Sequence, residues 1–324
     1  MDKETGKVLL TGVTGFIGGR LLPGLVKQGF RVRCLVRSPK QPPGGLGQHP
    51  SVEMAIGDML RPDTLPSAME GIDTAYYLVH SMGGRGISSF KSFIERDSFA
   101  AENFVKSAEK AGVSRIIYLG GLGEMGDDLS EHLRSRQKVG EILRSGSMQT
   151  TTLRAANIIG AGGAPFEMLR YMVERLPVMV CPKWIKTRGQ PIAVDNVIEY
   201  LVGCLVEHAT AGQTFDIGGP DIITYQQLML IYARVRRLKR IIVIVPVLTP
   251  RLSSYWINLV TPVPAGVVMP LVEGLKNEVI CRDNKIRELI PIRLIPMEEA
   301  ICTALTEIEA GPGKLPSRQA CFIR

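Results

Sequence analysis

Near the start of the chain the stretch from Val8 to Gly19 reads VLLTGVTGFIGG, and it limits the folds open to everything that follows. Val8, Leu9 and Leu10 form a short apolar run of the kind that makes a strand buried on both faces. Thr11-Gly12-Val13-Thr14-Gly15-Phe16-Ile17-Gly18 follows without a gap and leads into a helix that runs to about Gln28. Gly12 permits a tight turn, Gly15 lets a pyrophosphate approach the backbone, and Gly18 lets the new helix lie close on the sheet. The free N–H groups at the start of that helix favour negative charge at the same place. Glycine spacing alone is a weak signal in a chain with 34 glycines. Context strengthens it: a strand precedes, a helix follows, and Val32 to Val36 supplies the second strand that a dinucleotide-binding turn requires.

The second strand, Arg31 to Arg37, ends 19 residues past Gly18, where NAD-binding folds place an acidic side chain on the ribose hydroxyls. Here stands Arg37. A carboxylate repels a 2′-phosphate, whereas a guanidinium grips it with two parallel hydrogen bonds, and Lys40 adds charge nearby. The competing reading of Arg37 is a solvent-facing loop arginine. Val52 to Ile56 reads as a third strand, ended by Gly57-Asp58-Met59-Leu60; Asp58 either accepts from an adenine amino group or caps the next turn. Asp73 to Val79 is the fourth strand, and the glycine-rich loop after it starts with His80, beside the expected nicotinamide. A lone histidine there is catalytic, structural or merely exposed. A helix from Phe90 to Ala111, a strand from Arg115 to Leu119 ending in Gly120-Gly121, a helix from Glu131 to Arg144 and a strand from Thr150 to Leu153 continue the alternation. Strictly alternating strands and helices imply a parallel, doubly wound α/β sheet.

After Arg154 the pattern loosens, which divides the chain into a core over 1–154, a smaller C-terminal substrate lobe over 155–310 and a tail over 311–324. The lobe reads as a helix from Pro165 to Leu176, a connector from Pro182 to Gln190, a strand from Ile192 feeding an Asp-capped helix to His208, a strand from Thr214 to Ile217 and a helix begun by Thr224. At 324 residues and 45% hydrophobic, the chain can bury a sizeable core. Its net charge of +8 leaves room for an anionic ligand without a polybasic tail, so no nucleic-acid partner is expected. The basic cluster Arg234, Arg236, Arg237, Lys239 and Arg240 reads first as a solvated helix end, with anionic lipid or nucleic acid as the other readings. Six cysteines lack C-x-x-C spacing and nearby histidine pairs, which predicts no metal site and buried thiols in a reducing compartment. The charged start MDKETGK leads straight into the first strand, which favours the cytoplasm. Ile241 to Leu275 is apolar but cut by five prolines, so no transmembrane span is expected, only shallow membrane contact at most.

The order GVTGFIG, LVRSPK, GDM and YYLVHSM after successive strands resembles the atypical short-chain dehydrogenase/reductases, their NmrA-like NAD(P)-binding branch in particular. The likeness continues through HLRSRQKVGEILR, LRAANIIGAGG, PIAVDNV and FDIGGPDIITYQQLM, covering roughly residues 7 to 305. It implies a Rossmann fold and a cofactor site at Gly12, Thr14, Gly15, Phe16, Ile17, Gly18, Arg37, Asp58, Met59, Val79 and His80. Active members of that family use a serine after the fifth strand and a tyrosine four residues before a lysine, the cation lowering the tyrosine pKa. In this chain Gly120 and Gly121 occupy the serine region, and counting back four from Lys138 gives Arg134. His80 and Lys138 are therefore the expected catalytic groups, Lys138 also as a contact to the nicotinamide ribose. The expectation is an oxidoreductase-like protein binding NADP, with NAD possible, and a small apolar substrate. The alternative is a non-catalytic redox sensor or assembly factor with a protein partner.

Overall fold

Seven parallel strands form the centre of the molecule. The computed structural model describes residues 6–39, 43–80, 92–123, 130–245 and 260–311. In chain order the core elements are β1 (Lys7–Thr11), α1 (Phe16–Lys27), β2 (Arg31–Val36), β3 (Val52–Ile56), the short α2 (Pro66–Met69), β4 (Thr74–Tyr77), α3 (Phe93–Ala111), β5 (Arg115–Gly121), α4 (Glu131–Arg144) and β6 (Gln149–Ala155). Then follow β7 (Ile158–Ile159), α5 (Ala164–Arg175), β8 (Val178–Pro182), β9 (Arg188–Gly189), β10 (Ile192–Ala193), α6 (Val194–Val206), β11 (Thr214–Ile217), β12 (Ile223–Thr224), α7 (Tyr225–Val235), β13 (Ile241–Val245), α8 (Ala265–Gly274), α9 (Lys285–Leu289) and α10 (Met297–Ala310).

The sheet runs β3-β2-β1-β4-β5-β6-β11 with every pairing parallel. The chain winds one way from β1 to β3 and the other way from β4 onward, so the strand order reverses between β1 and β4. Ligands bind outside the carboxyl ends of strands at such a reversal. Val8 and Leu10 face α1 and α6, while Leu9 faces the opposite layer with Tyr77, Phe104 and Tyr118. That two-sided burial is why the first strand reads as an unbroken apolar run. Tyr77 meets the Phe104 ring edge-on at 5.1 Å, and the Tyr76 hydroxyl donates to the Leu201 carbonyl at 2.8 Å, tying the sheet to α6.

The second half of the chain does two things. α6 and β11 return to the sheet, whereas α5, α7, α8 and α10 surround a separate apolar core containing Phe166, Leu169, Met229, Tyr232 and Ile301. Three local expectations change. The helix after β10 starts at Val194 with no side-chain cap, so Asp195 lies in its first turn rather than capping it. The strand β8 precedes the expected connector, and β13, at the start of the proline-broken apolar region, pairs with it in parallel. Four cysteines, Cys34, Cys181, Cys204 and Cys281, are free, but Cys302 is disulfide-bonded, which corrects the expectation of six thiols. Lys40, residues 246–259 of the apolar region, and 312–324 of the expected tail lie outside the described residues. Among the described residues no helix is long and apolar enough to cross a membrane. The basic cluster is partly neutralised at the end of α7: Arg236 pairs with Glu309 at 2.7 Å and Arg234 with Glu298 at 3.7 Å.

Gly12 has a φ of +69°, and a Cβ added there would lie 2.7 Å from the Leu78 carbonyl oxygen. Gly29 has a φ of +84° with nothing near its missing Cβ. Left-handed backbone costs an L-residue about 1–2 kcal/mol, so both alanine variants lose that much, and Gly12→Ala loses more because β4 must move. Urea titration of the two variants checks this; equal losses would contradict it.

Candidate functional site

The turn after β1 is held from below by a single hydroxyl. Thr11 Oγ1 donates to the Tyr76 carbonyl at 2.8 Å and accepts the Leu78 N–H at 2.9 Å, so the ends of β1 and β4 are locked together at the strand reversal. The Gly12 carbonyl then accepts the Gly15 N–H at 2.9 Å, and Gly18 packs directly on the Gly12 peptide, where a side chain would collide with backbone. Gly15 is the N-cap of α1, and that helix has neither a side-chain cap nor an acidic residue in its first turn. Its leading N–H groups are left for an anion.

Above this turn lies a cavity of about 370 Å³. Gly12, Gly15, Phe16, Ile17 and Gly18 form one wall; His80, Gly120, Gly121, His132 and Arg136 form another. The second half of the chain closes it with Asn157, Gln190, Tyr225 and Leu275 among others. A phosphate-bearing dinucleotide fits this arrangement: the glycines form a cradle that a Cβ would fill, and the helix start above it is uncapped.

The remaining expected residues fall in three groups. Thr14 is exposed at the tip of the turn, and Arg37 is exposed just past β2 with no ion pair among the described residues. Asp58 turns its Oδ1 to the Leu60 N–H at 2.9 Å, so the turn-capping reading holds for that oxygen, and the Met59 carbonyl is anchored by Asn103 Nδ2 at 2.8 Å. The Val79 carbonyl accepts from Arg136, which also donates to the Leu119 carbonyl and covers the Tyr118 ring at 5.0 Å. Arg136 thus pins the ends of β4 and β5 while facing the cavity.

His80 does not stand alone. Its Nδ1 lies 2.8 Å from Asp97 Oδ2 and its Nε2 lies 3.1 Å from His132 Nδ1, while Ser135 Oγ donates to the same carboxylate at 3.0 Å. Asp97 only accepts when ionised, so His80 Nδ1 carries the proton and Nε2 of neutral His80 accepts from His132 Nδ1–H. That leaves Nε2 of His132 with a lone pair. Burial is the main cause that pushes both imidazoles below the ordinary value, His132 to about 3, with His80 and Arg136 adding to the effect there. Both rings are uncharged at neutral pH.

Lys138 is placed differently from its expected role. Its side chain is 56% exposed and pairs with Glu141 at 3.5 Å, and it does not line the cavity. Arg134 is exposed as well. The reason is helical phase: residues four apart share a face, and the pair on the cavity face is His132 and Arg136, while 134 and 138 point away. Counting from the lysine picked the wrong stripe. Neither glycine of the serine region offers a simple return to that serine, because a Cβ on Gly121 would sit 2.9 Å from Leu133 and one on Gly120 would sit 3.0 Å from the Tyr118 ring.

Comparison with known proteins agrees with this geometry. Residues 12–169 match a family model described as NAD(P)H-binding. A 3 beta-hydroxysteroid dehydrogenase/Delta 5-->4-isomerase from Mycobacterium tuberculosis is 33% identical over 126 residues, which is 36% of this chain and 32% of that protein. The chain thus aligns with about a third of the length of the first curated relatives. A mitochondrial NADH dehydrogenase [ubiquinone] 1 alpha subcomplex subunit 9 from Arabidopsis thaliana is 24% identical over 87% of this chain and 74% of its own length. Among solved structures, the Citrobacter triphenylmethane reductase complexed with NADP(H) superposes with a TM-score of 0.71 at 20% identity, covering 92% of this chain and 99% of that one. With its parallel sheet and its glycine cradle at the strand reversal, the chain carries the features of the NAD(P)H-binding proteins whose family model it matches over residues 12–169, and its fold is that of the NADP(H)-binding reductase above.

Proposed function

We propose that the chain is an NADP(H)-preferring oxidoreductase of the cytoplasm that interconverts a small apolar carbonyl compound and its alcohol. The observation that carries this reading is one cavity whose wall holds both the glycine cradle and His132. The leading N–H groups of α1 hold the pyrophosphate, Arg37 with Lys40 grips a 2′-phosphate, Asp58 and Met59 border the adenine, and Val79 and His80 border the nicotinamide. A bound nicotinamide would supply, or take up, the hydride at the substrate carbon. Nε2 of neutral His132 accepts the substrate hydroxyl proton in the oxidising direction, while His80 and Asp97 fix the ring and its tautomer. Arg136 polarises the substrate oxygen but stays protonated, so it moves no proton. Lys138 has no part in this scheme. One relative is named a 3 beta-hydroxysteroid dehydrogenase and a structural neighbour a triphenylmethane reductase, which supports a reaction of the oxidoreductase class. The missing hydroxyls at Gly120 and Gly121 favour a second reading, a non-catalytic redox sensor or assembly factor.

Three outcomes test the scheme. Arg37→Ala lowers NADPH affinity about 10-fold to 150-fold and leaves NADH nearly unchanged, because a charge-assisted hydrogen bond is worth about 1.5–3 kcal/mol. Equal losses in the two titrations would refute the preference.

In turnover assays against ketones and alcohols, His132→Gln lowers kcat by about 10²–10⁴-fold, whereas Lys138→Ala changes little. Tight cofactor binding with no turnover would favour the sensor.

The buried histidines also set a pH dependence. An unfolded His132 takes up a proton near 6.5 and the folded one only at about 3, so stability is fully present above pH 6.5 and falls as the pH drops toward 3. The slope is at most about 1.4 kcal/mol per pH unit. Urea midpoints between pH 6.5 and 4.5 therefore fall more steeply for the native chain than for His132→Gln; parallel profiles would contradict the neutral buried pair.

A further inference from the structure

Behind the cofactor cavity the substrate lobe holds a second chamber of about 390 Å³, within the range of small-molecule sites. Its described lining carries no charged residue, and Met172, Met179, Met229 and Trp184 contribute to it. Methionine walls reshape around flexible apolar guests. Tyr225 and Leu275 belong to the walls of both chambers, so the two spaces abut at these side chains. At its other side the chamber reaches β8, where Val178 and Val180 border it while remaining 50% and 59% exposed. The Tyr225 hydroxyl and the Trp184 indole N–H are buried with no hydrogen-bond partner. An unpaired buried donor is costly, so the packing around these two side chains is not optimised for stability alone. Packing alone gives no reason to keep so large an apolar void, since each cubic ångström left empty weakens a core.

We infer that the second chamber is a binding site for an unbranched alkyl or acyl chain, entering beside Val180 and passing between Tyr225 and Leu275 toward His132. The identity of the reacting end rests on the oxidoreductase reading above; the occupancy of the chamber does not. The substrate class is thereby narrowed to carbonyl compounds, and their alcohols, that carry an alkyl chain long enough to fill the chamber.

The test uses the full chain with NADP⁺, which cannot reduce a ketone, so binding is read without turnover. Calorimetric titration with 2-alkanones from 2-butanone to 2-tetradecanone gives affinities that rise about three- to fourfold per added methylene until the chamber is full. Val180→Trp at the exposed mouth and, independently, Met229→Trp in the wall flatten that gradient while NADP⁺ affinity and 2-butanone binding stay unchanged. Should Met229→Trp fail to melt cooperatively, Val180→Trp decides alone. Affinity that does not grow with chain length, or a gradient that survives in the folded filled variants, overturns the proposal. A clear gradient in a chain that never oxidises NADPH supports the chamber and refutes the oxidoreductase reading, whereas turnover of short ketones with no gradient refutes the chamber alone.

Discussion

The Gly12 peptide is the point at which the first strand, the first helix and the fourth strand are forced into one arrangement. Its carbonyl accepts the Gly15 N–H, Gly18 rests against it, and the Leu78 carbonyl closes the space where a side chain would stand. The contacts at Gly12 and Gly18 tolerate only a residue without a Cβ. Together they aim an uncapped helix start at the gap between β1 and β4, and Thr11 keeps that gap at fixed width by bonding both sides of β4's end. The cavity inherits its position from this geometry, and so do the histidines that face the glycine turn across it.

Across the cavity the face of α4 that lines it carries His132 and Arg136 rather than a tyrosine and a lysine. A tyrosine beside a lysine works by a lowered phenol pKa, which needs a cation close by. Here the cation is Arg136, occupied with the carbonyls at the ends of β4 and β5. Burial keeps the His132 ring neutral, with His80 and the Arg136 charge adding to the effect. A neutral ring with one nitrogen committed to His80 can only accept at the other, so the hydrogen-bond chain anchored on Asp97 has a fixed direction.

Much of the core was legible because local and global demands coincide there. VLLTGVTGFIGG, the apolar runs of β2, β4 and β5 and the bounds of α4 at Glu131 and Arg144 need no distant partner to be recognised. The His80–His132 contact was not legible, since it joins positions 52 apart whose meeting depends on how α4 lies over the ends of the sheet. A clue did exist in the phase of that helix. Leu133, Val139, Gly140 and Leu143 mark its buried stripe, which passes between His132 and Arg136 and leaves Lys138 outside. The paired strands β8 and β13 were hidden for another reason: their outer faces carry Val178, Val180, Ile241 and Val243 toward solvent, so neither shows the alternation of apolar and polar residues that marks a half-buried strand.

The last strand of the sheet comes from residues 214–217, far beyond the segment that builds the other six. Until that stretch leaves the ribosome, the outer rim of β6 has no partner. A bare rim of parallel sheet readily recruits strands from other chains. The nascent protein must therefore carry a half-made sheet through the synthesis of about sixty further residues, at about 5–20 residues per second, a delay of several seconds. Its demand for chaperones during that interval is written into the order of its strands.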